Sequence, residues 1–337
     1  REKDVERLKE LARSMIAATG HEEISLSSLS SSDYSQLEEL ITFLIDECGK
    51  KKINISLPSL RIDAFSLDIM QKVQDIKKSS LTFAPEAGSQ RLRNVINKGL
   101  TIDNILDGSK QAFEGGWNKV KLYFMLGLPT ETEEDMRAIP ELANEIAALY
   151  YDTVPKEKRN GKCQITISTS FFVPKPFTPF QWATMLDPGD YLGRAKIVND
   201  HVKEQLNHKS IRYNWHEADV TVLEGVLARG DRKLSDAIEY VYTHGGLFDA
   251  WSDFFNYDLW LEAFAACDID IDFYTKRVRS DDEIFPWDFI DVGVTREFLL
   301  REWKTALTET VTPNCRMRCS GCGARQYGGG VCFEDKN

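Results

Sequence analysis

Apolar positions along the first half of the chain recur with two alternating periods. The helical period first occupies 5–16 and ends at Gly20, and a short run at 23–26 has the pattern of a strand. The same alternation predicts helices at 33–49, 66–76, 90–96 and 101–113, and strands at 53–57, 80–84, 120–126 and 164–170. Strands and helices that alternate about every 30 residues are typical of βα units, so the pattern predicts an α/β fold with a parallel sheet.

One more helix is predicted after the strand at 120–126. Thr132 and Asp135 stand three residues apart, as in an N-terminal capping pair, and Pro140 is expected to kink or restart this helix. The acidic residues at 131–135 suit the positive end of the helix dipole, and we assign them no catalytic role.

The pattern changes after about residue 185. The segment that follows is rich in aromatic residues at helical positions and predicts a separate helical layer. Large rings dominate the burial of apolar surface, so the simplest interpretation is that they pack a core. The aromatic residues of this segment are Trp215, Tyr240, Tyr242, Phe248, Trp251, Phe254, Phe255, Trp260 and Phe264.

Composition places the chain among ordinary globular proteins. It has 337 residues, of which 42% are hydrophobic and 28% charged, and this length suggests roughly two domains. No apolar run reaches about 18 residues and the first residues lack a signal-peptide pattern, so we expect a soluble, cytoplasmic protein. The chain opens at Arg1 within a helical pattern and without Met, from which we expect residues to be missing upstream. The net charge of −11 argues against a broad nucleic-acid surface.

The seven cysteines fall into two groups. Three are isolated in apolar segments and are expected to be small core residues: Cys48, Cys163 and Cys267. The other four lie in the last 25 residues, in a glycine-rich tail with Cys-x3-Cys-x2-Cys spacing: Cys315, Cys319, Cys322 and Cys332. Thiolates at this spacing predict a metal site, with an iron–sulfur cluster first and zinc second. The alternative is a set of reduced cysteines in a disordered tail.

Candidate ligand-binding residues cluster where predicted strands end. Gly127 permits a tight turn and Pro129 stiffens it, directly after the strand at 120–126. A serine-rich loop at 25–34 offers compact hydroxyl groups. The loop at 83–89 carries Glu86 and Ser89, and a proline-rich turn at 172–180 contains Val173. Three of these loops could instead be purely structural: 127–132 as a well-capped βα turn, 83–89 as a carboxylate near a helix N-terminus and 172–180 as a rigid proline turn.

The order of these four loops resembles that of radical S-adenosylmethionine (SAM) proteins. The segment 127–132 resembles the family's Gly-x-Pro-x-Glu-Thr loop, and 86–89 resembles its Glu-x-Gly-Ser element. The turn at 172–180 resembles its proline-rich exit, and the segment 57–61 and the cysteine tail also fit the family. It extends over essentially the whole chain. It implies that SAM is bound by Ser27, Ser28, Ser30, Arg61, Glu86, Ser89, Gly127, Pro129 and Val173.

The resemblance also implies an architecture. We expect a partial (β/α)6 TIM-like barrel with strands 2–6 at 1–185, a helical region at 186–305 and a cysteine-rich metal-binding tail at 306–337. The closest pattern is that of large radical SAM proteins with an N-terminal cobalamin-binding-type domain. Their [4Fe–4S] cluster is held by a cysteine loop after the first barrel strand, a loop that is not found here, so the tail is expected to hold an auxiliary cluster.

The activity implied is reductive cleavage of SAM. The cluster donates one electron, and the products are methionine and a 5′-deoxyadenosyl radical that abstracts hydrogen from an unknown substrate. This chain alone is expected to be inactive. Cobalamin, an electron donor and an RNA substrate are suggested by family analogy only. Two alternatives are a non-catalytic zinc or iron–sulfur interaction module and, more weakly, a metal-independent barrel enzyme.

Overall fold

Two parallel sheets with helices between their strands form the fold, as the α/β pattern predicts. The computed structural model describes residues 2–26, 34–49, 51–56, 81–159, 161–315 and 317–327. Helices and strands are numbered along these ranges. The helix predicted at 66–76 and the candidate residues Ser27, Ser28, Ser30, Arg61 and Cys332 lie outside the described residues.

The N-terminal part is a two-stranded sheet with two helices. Its elements are α1 (Val5–Thr19), β1 (Glu23–Ser25), α2 (Leu37–Gly49) and β2 (Asn54–Ser56). The strands are parallel, with Ile24 opposite Ile55. Both helices bury their apolar stripe in one cluster with the sheet, which includes Cys48. Burial of this stripe is what the helical period in the sequence predicts.

The second sheet has four parallel strands in sequence order. They are β3 (Leu81–Glu86), β4 (Lys119–Leu126), β5 (Gln164–Phe171) and β6 (Ile211–Trp215). The connecting helices are α3 (Gln90–Val95), α4 (Ile102–Glu114), α5 (Glu133–Thr153) and α6 (Pro188–Glu204). Such a layer arrangement agrees with part of a TIM-like barrel.

The two faces of the second sheet differ in polarity. One face carries alternate buried side chains, such as Leu122 and Ile167, which pack with the helices in the largest core cluster. The opposite face carries polar, mostly half-exposed side chains. Thr82, Lys121, Thr166 and Arg212 are matched across all four strands. Side chains alternate between the two faces of a strand, so burial of the apolar face fixes how the strands pair and therefore which residues lie side by side on the polar face.

Capping residues set where the helices begin and end. Gly20 has φ 65° and its N–H donates to the Ile16 carbonyl, which ends α1 as predicted. Thr132 and Asp135 form the predicted capping box of α5. Of the two outcomes predicted at Pro140, a kink or a restart, the restart is wrong, since α5 runs without interruption to Thr153. The buried apolar face on both sides of Pro140 offsets the backbone hydrogen bond that proline removes.

The segment after residue 185 contains one strand that was not predicted. β6 pairs with β5, and the core of the sheet continues through α6 into α7 (Ala218–Arg229). Four helices follow: α8 (Leu234–Thr243), α9 (Tyr257–Ala266), α10 (Ile271–Thr275) and α11 (Arg296–Leu307). The alternation of apolar and polar residues at 211–215 is the signal that could have found the strand. The division into three domains stays a prediction.

The aromatic residues of this region do not all pack a core. Trp260 and Phe264 are buried with α7 and α8, in agreement with the prediction. Four others are largely exposed: Tyr242, Phe248, Trp251 and Phe254. None of the helices in the described ranges is long and apolar enough to cross a lipid bilayer.

Candidate functional site at the carboxyl edge of the sheet

Three loops leave the carboxyl ends of β3, β4 and β5 at the same edge of the sheet. Parallel strands bring these ends together, and this is where α/β proteins place their ligands. The edge carries the predicted residues Glu86, Ser89, Gly127, Pro129 and Val173. The structure therefore gathers every predicted SAM-binding residue that it describes.

Glu86 is the last residue of β3 and has an uncommon backbone conformation. Its φ of 69° lies in the left-handed region, which a residue with a side chain adopts at a cost of about 1 kcal/mol or more. The half-exposed carboxylate pairs with Lys98 at 3.2 Å between Oε1 and Nζ. It therefore presents a negative charge to solvent at the sheet edge.

The turn after Glu86 is held by a buried arginine. The Arg93 guanidinium donates to the carbonyl oxygens of Ala87 and Gly88, both at 2.9 Å, and to that of Leu100 at 3.0 Å. Burial lowers the pKa of Arg93 to about 10. Sequence reasoning missed Arg93 because an arginine in a short helix is ordinarily a solvated residue.

Ser89 and Asp135 connect the β3 and β4 loops. The Ser89 hydroxyl accepts from the Leu92 N–H at 3.0 Å, which caps α3, and donates to the buried Asp135 carboxylate. Asp135 also pairs with Arg91. Burial opposes ionisation of Asp135, but the hydrogen bonds from Arg91 and Ser89 outweigh it and hold its pKa below the ordinary value. The Ser89 hydroxyl is thus engaged within the fold.

Gly127 is required by packing against α6. It has φ 83°, and a Cβ at this position would lie 2.6 Å from Cε1 of Tyr191. Its N–H donates to Oε2 of Glu131 at 2.8 Å. Pro129 lies half-buried in a turn closed by the Glu131 N–H and the Leu128 carbonyl. Gly127 therefore determines the shape of the loop, and its N–H is not free for a ligand because it is bonded to Glu131.

Tyr191 fixes the β5 exit to the β4 exit. Its hydroxyl donates to the Phe172 carbonyl at 2.7 Å, and the Phe172 N–H donates to the Leu126 carbonyl at 2.8 Å. Val173 follows directly and is half-buried. Tyr191 was not found from sequence, because nothing near residue 191 indicates that its ring fills the space beside Gly127.

Glu131 is a buried carboxyl group within the β4 loop. Arg194 of α6 donates to its Oε2 at 2.9 Å, from Nε, and 2% of the Glu131 side chain is exposed. Burial raises the pKa of Glu131 to about 7, against the opposing effects of the Gly127 N–H and Arg194. Glu131, interpreted from sequence as part of an acidic first turn, is thus an interior group that joins the β4 loop to α6.

Stability is expected to depend on the protonation of Glu131. Its folded pKa of about 7 exceeds the ordinary 4.5, so the folded protein holds a proton that the unfolded chain releases. The free energy of unfolding should therefore fall as pH rises from about 4.5 to 7, by roughly 2–3 kcal/mol. Urea unfolding at several pH values measures this. Glu131→Gln should remove most of the fall, whereas Glu133→Gln, at an exposed neighbour, should keep it; identical profiles for all three proteins would contradict the assignment.

The polar face of the sheet runs up to these loops. Lys121 and Arg212 supply two positive charges, and Tyr123, Ser168 and Asn214 lie in the next row. The Lys121 ammonium lies 4.5 Å from the centre of the Tyr123 ring. These residues were not singled out from the sequence. They alternate with apolar residues along each strand, and this alternation is the signal that could have identified them as one face of the sheet. Together they offer hydrogen-bonding groups and cations to a polar, partly anionic ligand.

The segment that precedes the cysteine tail packs on the same edge. Ala306 of α11 is buried with Ala87, Leu128 and Phe172, one residue from each exit loop. Glu309 pairs with Arg91 at 2.9 Å, between Oε1 and NH1. Further on, the Thr312 N–H donates to Oδ1 of Asn97 at 3.1 Å. The segment from α11 to Thr312 is therefore anchored at the candidate site.

The predicted metal ligands do not form a metal site among the described residues. Cys315 and Cys319 are exposed and Cys322 is half-buried, with the Cys322 carbonyl accepting from the Thr295 N–H at 2.8 Å. In the described ranges no three Cys, His, Asp or Glu side chains come together as a metal site. Cys48 and Cys163 are buried, which confirms their interpretation as core residues, and Cys267 is half-buried.

One family model matches the N-terminal part of the chain. Residues 1–143 match the model of the radical SAM superfamily. This part of the chain is therefore similar to that superfamily. The match covers α1 to β4, the β4 exit loop and the first half of α5, and so includes the first two of the three exit loops. The radical SAM family implies SAM and a [4Fe–4S] cluster as cofactors.

Two curated relatives come from Methanocaldococcus jannaschii. One is an uncharacterized protein, 35% identical over 217 residues, which are 64% of this chain and 43% of that protein. The other carries a provisional methylthiotransferase assignment and is 30% identical over 97 residues, which are 29% of this chain and 21% of the relative. The chain thus spans less than half of either relative. Among solved structures, a Paramecium bursaria Chlorella virus arginine decarboxylase aligns with a TM-score of 0.29 and 12% identity over 64% of this chain and 63% of its own.

The described residues fit the two radical SAM cofactors unequally. The carboxyl edge offers Glu86 and an adjoining polar face, which suit the hydroxyl and amine groups of SAM. For the [4Fe–4S] cluster, the described ranges hold no set of three ligands. The chemistry of the cluster is therefore not assigned to residues of this site.

Proposed function

We propose that this chain is part of a radical SAM enzyme that binds SAM at the carboxyl edge of the second sheet. In the intact protein, SAM would be cleaved reductively to methionine and a 5′-deoxyadenosyl radical, which takes hydrogen from a substrate of unknown identity. The observation that carries the proposal is the radical SAM match over residues 1–143. The gathering of the exit loops at one edge supports it.

Within this proposal, the chain binds and orients SAM. Glu86 would accept hydrogen bonds from the ribose hydroxyls or the amine, because its carboxylate is half-exposed and has only Lys98 as an ion-pair partner among the described residues. Gly127, Pro129 and Val173 would shape the wall beside the adenosyl group. Their positions are stiffened by Tyr191, which restrains two of the three loops. When bound, the reduced [4Fe–4S] cluster supplies the single electron that the cleavage needs.

For the tail, we propose a second, auxiliary metal site. Cys315, Cys319 and Cys322, with Cys332 as fourth ligand, would hold an iron–sulfur cluster or zinc. Its support is the Cys-x3-Cys-x2-Cys spacing and the anchoring of the preceding segment at the SAM-binding edge. Cobalamin and an RNA substrate remain predictions by analogy. The non-catalytic module is not favoured, given the radical SAM match.

One experiment on the reconstituted chain tests both parts. The chain is reconstituted anaerobically with iron and sulfide, its iron is counted, and bound SAM is measured by equilibrium dialysis. Electron paramagnetic resonance spectra are recorded with and without SAM. The same is done for the variant Cys315→Ser/Cys319→Ser/Cys322→Ser and for Cys267→Ser, a control at a half-buried cysteine outside the tail.

We expect SAM to bind all three proteins, and the triple variant alone to lose its iron. The spectrum of the wild type should not change when SAM is added, because the tail is proposed as an auxiliary site. A spectrum that shifts with SAM would instead mean that the tail cluster itself contacts SAM. Failure of every protein to bind SAM would refute SAM binding at the sheet edge, whatever the iron count.

A further inference from the structure

A cavity lined by arginines lies outside the exit loops. It has a volume of about 210 Å³ and is bordered by the end of α7, by α10 and by the segment 277–287. None of its lining residues belongs to the β3, β4 or β5 exits. The side chains that matter for its chemistry are Arg229, Arg277, Arg279, Glu283, Phe273 and Trp287.

The charges around this cavity are unequally matched. Arg277 forms a two-pronged ion pair with Glu283. Arg279 donates instead to backbone carbonyl oxygens, at 2.6 Å to Tyr274 and 3.4 Å to Arg277. Arg229 reaches the carbonyls of Thr275 and Gln181 only at 3.5 Å. Asp231 also lines the cavity and accepts from the Tyr274 hydroxyl. Among the described residues, no carboxylate pairs with Arg229 or Arg279.

Arg229 in addition has an unused donor. The residue is 2% exposed, and its buried Nε–H has no hydrogen-bond partner within the described part of the chain. The Arg277 Nε–H likewise has no hydrogen-bond partner among the described residues. A buried donor without an acceptor costs about 1–3 kcal/mol, and a buried charge without a counter-ion costs more. Burial, together with the neighbouring arginines, lowers the pKa of Arg229 to about 9.

Aromatic rings form the rest of the wall. Phe285 and Trp287 are stacked, with ring centres 4.9 Å apart, and the Arg277 guanidinium lies 4.3 Å from the centre of the Phe273 ring. Apolar walls exclude water and so strengthen the attraction between a guanidinium group and an anion. Guanidinium groups match the paired oxygens of carboxylates and phosphates.

From this geometry we infer that the cavity binds a compact oxyanion, a phosphate or carboxylate group, between Arg229 and Arg279. Glu283 acts on both guanidinium groups from a distance but forms its ion pair with Arg277. The anion supplies the direct ion-pair partner that Arg229 and Arg279 lack among the described residues, and an acceptor for the Arg229 Nε–H. The volume suits inorganic phosphate or a small acid and not a large cofactor, since pockets for drug-sized ligands begin at about 300 Å³.

Calorimetric titration of the full chain with sodium phosphate, and separately with sodium benzoate, tests the inference. Ionic strength is held constant with sodium chloride, so that general screening does not contribute. The variants are Arg229→Gln, Arg279→Gln and the charge-conserving Arg229→Lys. The control is Arg232→Gln, at an exposed arginine beside Asp231. Far-UV circular dichroism establishes that each variant is folded.

We expect one saturable site for at least one probe in the wild type and in Arg232→Gln. Affinity should fall tenfold or more in both glutamine variants, and by less in Arg229→Lys, which keeps the charge but loses the fork of donors. Tighter binding of phosphate than of benzoate identifies a phosphate site, and the reverse order a carboxylate site. The inference is overturned if neither probe saturates the wild type, or if folded Arg229→Gln binds as well as Arg232→Gln.

Discussion

Replacing Gly88 by alanine is expected to destabilise the folded protein by about 3 kcal/mol, the upper end of what overpacking commonly costs. The new Cβ would lie 2.4 Å from the backbone N of Ile139 and 2.7 Å from the carbonyl carbon of Ala138. Backbone atoms of α5 cannot rotate away as a side chain can. The β3 exit and α5 would have to separate, and Glu86 would move with the loop. Urea unfolding monitored by tryptophan fluorescence measures the loss.

Gly189→Ala is the matched control for this substitution. Gly189 lies in the first turn of α6, and a Cβ there would meet no atom within 4 Å. Alanine should be neutral or stabilise the protein by up to about 1 kcal/mol, because it restricts the unfolded chain. Equal unfolding free energies for the two variants would show that β3 and α5 are not in close contact at Gly88.

Replacing Arg93 by methionine is expected to cost about 3–5 kcal/mol, because hydrogen bonds from a charged donor contribute about 1.5–3 kcal/mol each and removal of the buried charge offsets part of their loss. Methionine fills similar space but leaves the carbonyl oxygens of Ala87, Gly88 and Leu100 without the donors they have now. The turn between Glu86 and α3 should loosen. Urea unfolding measures the loss, and faster amide hydrogen exchange at residues 87–100 would locate it.

Arg137→Met serves as the control for the arginine variant. Arg137 is exposed on α5 and pairs with Glu133 one turn away, at 2.7 Å between NH2 and Oε1. Pairs of this kind contribute about 0.3–0.5 kcal/mol, so its removal should change stability little. An equally small effect of Arg93→Met would mean that water can replace the guanidinium group at these carbonyls.

The regular elements could largely be predicted from sequence because their signals are local. Apolar spacing gave α1 and β4 to within a residue or two, and the Thr132 and Asp135 spacing gave the start of α5. β6 was missed because it lies in a segment dominated by helical patterns. The helix does not restart at Pro140, one of the two outcomes predicted there, because tertiary packing, which sequence periodicity does not weigh, holds the helix together.

The candidate site could be located from sequence but not understood from it. Glycine, proline and serine at strand ends marked the loops, yet the partners that give them their roles are distant along the chain. Arg194 is 63 residues from Glu131, and nothing in the acidic run at 131–135 shows which carboxylate will be buried. Arg93 and Tyr191 have no sequence motif at all. Their importance comes from burial, which appears only once the chain is folded.

The ion pair of Arg91 with Glu309 has a consequence for the order in which the protein is built. The two residues are 218 positions apart, and the same arginine donates to Thr130 and Asp135 in the β4 loop. During synthesis, domains generally fold as units as the chain emerges, and contacts of long sequence separation form slowly. The exit loops of β3, β4 and β5 must therefore wait, with apolar surface exposed, until α11 has left the ribosome and covers them. A premature stop before α11 would release a sheet whose carboxyl edge is uncovered and prone to aggregate.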